Sequence, residues 1–213
     1  MIAVGRHLLI AMTLAAATAS SHAQPPAVAR AASDVVQVRV QTDLGDFVLE
    51  VDMARAPATA ANFMRYVDAG HYDGGTFHRT VRLDNQPQSA IKIEVVQAAA
   101  NPSRATAASA PVALERTSVT GLRHRDGVIS MARDGADTAT SDWFVCINDQ
   151  PSLDFGGQRN PDGQGFAAFG RVVSGMDVVR RIQASPTTGD TASNAEAQKL
   201  APPIRIITAS RIR

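Results

Sequence analysis

The chain has 213 residues, with 21 Lys plus Arg against 20 Asp plus Glu and a formal net charge of +1. Charges so nearly balanced give no electrostatic basis for gripping nucleic acid or an anionic membrane surface. The single cysteine, Cys146, excludes an internal disulfide, and its place in the apolar run WFVCIND marks it as a buried small hydrophobe.

In chain order, MIAVGRHLLIAMTLAAATASSHAQ comes first. One base, Arg6, precedes an apolar run from Leu8 to Ala17, and Ser21 and Ala23 supply the small residues of a signal-peptidase site. The run is too short and too rich in alanine for a stable spanning helix. Residues 1–23 therefore read as a cleavable export signal, with an uncleaved anchor as the alternative. No later segment approaches membrane-spanning length. The expected mature chain starts near Gln24 and has 190 residues, with 20 basic and 20 acidic side chains once Arg6 is removed. That length suits one domain, here residues 35–213 after a linker at 24–34.

Two alternating runs flank the turn TDLGD, so Val35–Gln41 and Phe47–Val51 form an expected hairpin. The period then changes. Ala60, Phe63, Met64 and Val67 recur at helical spacing, Pro57 suits a first turn and Gly70 an end, which predicts a helix of about four turns. TFHRTVR and SAIKIEVVQ read as strands. The stretch from Ala98 to Gly127 reads mostly as loop, with GLRHRD as a solvated basic turn. GVISMAR, DWFVCIND and FAAFGRVV are further strands, separated in part by the turn-rich PSLDFGGQRNPDGQG. SGMDVVRRIQAS is a second short helix, SPTTGDTASNAEAQKLAPP a polar linker, and IRIITASRI a closing strand that could pair with the first. Eight short strands and two short helices without βαβ alternation predict a mainly β fold: a closed eight-stranded antiparallel barrel capped by the helices.

One residue in this pattern stands out. In GGTFHRTVR a period of two puts Arg79 on the face of Phe77 and Val81, opposite Thr76, His78 and Thr80. A guanidinium on an apolar face needs a partner, either a carboxylate that pins the barrel or a ligand. His71, His78 and His124 have no common metal-ligand spacing, and NPDGQG lacks the spaced acids of a calcium loop.

GGTFHRTV, GVISMAR, DTATSDWFVCINDQPSLD and FAAFGRVVSGMDVVRRI, in this order and behind VRVQTDLGDFVLEVDMARAPATAANF, resemble the cyclophilin-type peptidyl-prolyl cis–trans isomerases. The resemblance spans Val38 to Arg213 and is nearest to the exported type of Gram-negative bacteria, which implies a periplasmic location. It implies the barrel inferred above and catalysed rotation of X–Pro bonds in unfolded or partly folded polypeptides. It also implies a monomer that needs no cofactor and no metal.

Carried over residue by residue, the resemblance makes Arg79 the catalytic arginine. Phe144 becomes the floor and Leu153 a wall of the proline pocket, with Ala132 lining the substrate channel and Gln97 binding substrate. Val95, Asp142 and Phe166 occupy further substrate-side positions but depart from the family pattern, where Met, Gln and His or Tyr are usual. Glu94, Ser152 and Arg133 also depart, from Phe, a bulky aromatic and Asn. If Glu94 or Asp142 reached Arg79, it would compete with the prolyl nitrogen or orient the guanidinium. A barrel that binds proline-containing segments with little turnover is thus the alternative function.

Overall fold

The computed structural model describes residues 1–2, 34–104, 110–189 and 193–212. The expected export signal, beyond Met1 and Ile2, and all of the linker but Asp34 lie outside the described residues. The strands are β1 (Val35–Thr42), β2 (Gly45–Asp52), β3 (Thr76–Val81), β4 (Val95–Ala99), β5 (Val128–Met131), β6 (Trp143–Cys146), β7 (Ala168–Ser174) and β8 (Lys199–Arg211). They close into a barrel in the order β1-β2-β7-β5-β6-β4-β3-β8, with every neighbour antiparallel and β8 pairing back onto β1. The expected mainly β, closed eight-stranded barrel is what forms.

The hairpin turn is tight, with Thr42 opposite Gly45 in the β1–β2 register. Gly45 takes φ +121°, a left-handed value that a side chain would strain, and so supplies the chain reversal. Helix α1 (Pro57–Asp68) has 12 residues, a little over three turns, and buries Ala60, Phe63, Met64 and Val67 as the spacing predicted. Its first-turn N–H groups would be orphaned, but the Glu115 carboxylate accepts from Ala58 N at 3.1 Å and Thr59 N at 2.7 Å. Helix α3 (Met176–Ala184) buries Val178, Val179 and Ile182 in the same core. Two one-turn helices, α2 (Thr117–Thr120) and α4 (Asn194–Ala197), join these. No helix among the described residues is long and apolar enough to cross a membrane.

Alternation sorts the strands into two apolar layers. Trp143 and Val145 of β6, Val96 and Ala98 of β4, and Phe77 of β3 face the interior. There Phe63 meets Trp143, Phe169 and Tyr72 with ring centroids 5.1–5.5 Å apart. Phe144 and Cys146 of β6 and Val95 of β4 face the other way, and join Val81, Ile93 and Leu153 in a separate cluster on the outer wall. Fully buried Cys146 behaves as the expected hydrophobe, and burial pushes its thiol pKa well up.

Four expectations need correction. The strand expected over SAIKIEVVQ begins only at Val95, because Ile93 and Glu94 precede the ladder and the buried side chain of Gln86 bonds both backbone groups of Ile93. The polar linker ends in α4 and the start of β8, where Lys199 pairs with Arg79. The turn GLRHRD is not simply solvated, since His124 is buried. Finally, Arg79 does not share a face with Phe77. The β3 register shifts between them, so Phe77 pairs with Ala98 but Arg79 pairs with the adjacent Gln97. His78 is the extra residue of a β-bulge, which turns Arg79 to the outer wall.

Candidate active site

That bulge decides what Arg79 can meet. On the outer wall, directly paired residues across β3, β4 and β6 are Arg79, Gln97 and Phe144. They border a cleft of about 290 Å³ whose lining also includes Val95, Ala132, Asp142, Leu153 and Phe166. All eight residues singled out from the sequence are therefore brought together. The lining also includes Arg133, one of the positions that depart from the family pattern, and adds Ile93, Asp134, Thr138, Thr140 and Arg159, for which the sequence carries no signal.

The apolar floor is held from behind. The Phe144 ring is stacked on His124, centroids 6.2 Å apart and planes 16° apart, and meets the edge of Phe166 at 5.6 Å and 86°. His124 is itself fixed, with Nδ1 2.8 Å from Asp154 Oδ1 and Nε2 3.0 Å from Ser130 Oγ. This is a Ser–His–Asp arrangement, but Ser130 is fully buried and has no access to a substrate, so the triad serves as a rigid backing. Burial pushes the Asp154 carboxyl up, but the hydrogen bonds from His124 outweigh it and the net shift is downward. No local signal marks His124, because its partner lies 30 residues away.

Phe166 is clamped in turn. The Arg133 guanidinium lies 5.0 Å from the Phe166 ring centroid, donates to Gly165 O at 2.9 and 2.6 Å, and pairs with Asp162 at 2.8 Å. Its side chain is only 1 % exposed, so it grips the loop instead of reaching for a ligand.

Arg79 has no carboxylate within ion-pair distance among the described residues. Its Nη1 donates to Gln97 Oε1 at 2.9 Å, while Nε and Nη2 donate to Gln198 Oε1 at 2.9 and 2.6 Å. Gln97 in turn donates to Asp142 Oδ2 at 3.3 Å, so Asp142 acts on Arg79 only through an amide. Glu94 points elsewhere, accepting from Asn148 and Gln183. Of the five N–H groups of Arg79, two remain for a ligand. Burial, and then the charge of Arg159, lowers its pKa from the ordinary value, yet an arginine stays protonated near neutrality. Ser152, where an aromatic was expected, is absent from the lining, and Phe166 takes a wall of the cleft.

The comparisons with known proteins bear on this geometry. The family model for cyclophilin type peptidyl-prolyl cis-trans isomerase/CLD matches residues 37–211. The chain belongs to this family. As a cyclophilin it is a peptidyl-prolyl cis–trans isomerase. It is 37% identical over 153 residues to peptidyl-prolyl cis-trans isomerase A of Dickeya dadantii, covering 71% of this chain and 73% of that one. It is 33% identical over 151 residues to the isomerase cyp18 of Streptomyces antibioticus, covering 70% and 84%. Among solved structures, a cyclophilin of Cryptosporidium parvum superposes with a TM-score of 0.63 at 18% identity, covering 84% of this chain and 98% of that one. A second structure of that protein, obtained in the presence of the dipeptide Ala-Pro, gives 0.62. These neighbours share the cyclophilin barrel.

Proposed function

We propose that this cyclophilin isomerises X–Pro bonds of unfolded or partly folded polypeptides in the cleft beside Arg79, as a monomer in the periplasm. Residues 1–23 act as the cleaved export signal and the mature chain begins near Gln24. Amide resonance sets a barrier of ~18–20 kcal/mol to this rotation, and no bond to carbon is made or broken. In the twisted transition state the prolyl nitrogen loses conjugation and becomes a better hydrogen-bond acceptor. A donor fixed beside it therefore binds the transition state more tightly than the planar ground state.

Arg79 is that donor. Phe144 and Leu153 hold the prolyl ring, Phe166 and Val95 wall it in, and Ala132 and Gln97 line the path of the chain. Asp142 orients Gln97. Ser152 in place of an aromatic widens the cleft and weakens its hold on proline, and Phe166 fills part of that space. The reduced activity this implies leaves the mechanism in place. The observation that carries the reading is that Arg79, tethered only by neutral amides, borders an apolar floor. A charge-assisted hydrogen bond of about 1.5–3 kcal/mol corresponds to roughly one to two decades of rate.

Isomerisation of proline peptides by wild type and Arg79→Ala tests this. Wild type is expected to exceed the spontaneous rate, with a loss of about one to two decades in the variant. A wild-type rate at the spontaneous level would favour a module that only binds proline-containing segments. N-terminal sequencing of the exported protein tests the signal, with a start far from Gln24 as the adverse result.

A further inference from the structure

We infer that Gln198 is the positioning residue of this site, holding the Arg79 guanidinium at the cleft through a neutral acceptor so that its charge is aimed but not neutralised. The inference rests on Arg79 being the donor to the prolyl nitrogen.

Gln198 lies between α4 and β8 and is fully buried. One oxygen, Oε1, receives both Nε and Nη2 of Arg79, at 2.9 and 2.6 Å. The other end of the amide, Nε2, donates to the Asn85 carbonyl at 3.0 Å, which decides that oxygen and not nitrogen faces the guanidinium. The backbone is tied as well. Gln198 O accepts from Thr80 N at 2.8 Å, next to Arg79 in β3, and Gln198 N donates to Asn194 O at 3.1 Å. Asn85 is itself locked, its Nδ2 donating to Thr80 O at 3.0 Å and its Oδ1 accepting from Arg82 N at 2.7 Å. Rotating the Gln198 amide would strand a buried donor as well as the guanidinium.

The chemistry of the acceptor matters as much as its place. A carboxylate in the same position would form a buried ion pair, strong in a low-dielectric setting, and would compete with the weakly accepting prolyl nitrogen. An amide oxygen fixes the fork of the guanidinium and leaves the full positive charge for the transition state. Gln97 does the same on Nη1 from the opposite strand. Between them the two amides use three N–H groups and leave one on each terminal nitrogen.

Gln198→Met keeps length and burial but removes the acceptor. Its kcat is expected to fall about tenfold or more with KM essentially unchanged, because the floor at Phe144, Leu153 and Phe166 is untouched. In an Arg79→Ala background the same substitution is expected to add no further loss, since the two residues act as a unit. A folded Gln198→Met with wild-type kcat overturns the inference, as does an equal fractional loss in the Arg79→Ala background. If Arg79→Ala itself keeps full activity, the donor assignment fails instead. A measurement on the unaltered protein guards against a variant that does not fold. The Arg79 Nε–H resonance should exchange slowly with solvent and show a nuclear Overhauser contact to the Gln198 side chain; rapid exchange without that contact refutes the positioning role.

Discussion

Arg133 illustrates how a residue in the lining of a cleft can act by holding its wall in place. Its guanidinium is folded onto Phe166, Gly165 and Asp162, so its influence on the cleft passes through the Phe166 ring. Arg133→Ala removes a cation–π contact of about 0.5–2 kcal/mol and frees the loop that carries Phe166. The expected result is a KM raised several-fold with kcat retained. Arg133→Lys should not restore it, because a point charge cannot make the forked contact to Gly165. Steady-state kinetics of the two variants decides this, and a loss confined to kcat would count against it. His78 carries a second prediction at this scale. Burial depresses its pKa below 6.5, reinforced by the Arg79 charge and opposed by Asp142, 4.0 Å away. The folded protein thus binds fewer protons here than the unfolded chain. Its contribution to stability is complete above pH 6.5 and is lost as pH falls from 6.5 through the folded value. Denaturant midpoints measured from pH 7.5 to 5 should fall on acidification, and less so in His78→Gln. An equal slope in both proteins would remove His78 as the cause.

Among the elements, helix α1 depends on a residue far along the chain. Glu115 supplies the carboxylate that its first-turn N–H groups require, from a segment that reads as loop. Glu115→Ala should cost about 1 kcal/mol and lower the melting temperature by several degrees without changing kcat, since Glu115 lies outside the cleft. Thermal unfolding and a rate assay on one preparation test both halves. Legibility in the sequence follows the range of the interactions. The β1–β2 hairpin and the buried face of α1 were readable because alternation, helical spacing and turn residues are local. The bulge at His78 was not, because a ladder shift shows itself only when the partner strand is present. β8 was missed from Lys199 to Pro203 because its prolines and alanines resemble linker, and with it went Gln198. His124 resembled a solvated base until Asp154 and Ser130 closed around it. The cleft residues were readable through family resemblance, whereas the groups that hold Arg79, Phe144 and Phe166 in place come from long-range contacts.

For the whole molecule, the barrel separates two tasks. Its interior aromatic cluster stabilises the fold, while the outer wall of β3, β4 and β6 carries a second, smaller apolar cluster that floors the cleft. Catalysis then needs only one charged donor, aimed by amides, over a surface that the barrel keeps rigid. The claim on which everything else depends is the donation from Arg79 to the prolyl nitrogen. The most direct measurement is exchange-NMR determination of cis–trans interconversion in a bound proline peptide, with wild type and Arg79→Ala at saturating enzyme. The bound rate is predicted to fall by about one to two decades while peptide affinity is kept. An Arg79→Ala protein that still folds and interconverts the bound peptide at the wild-type rate would contradict the account.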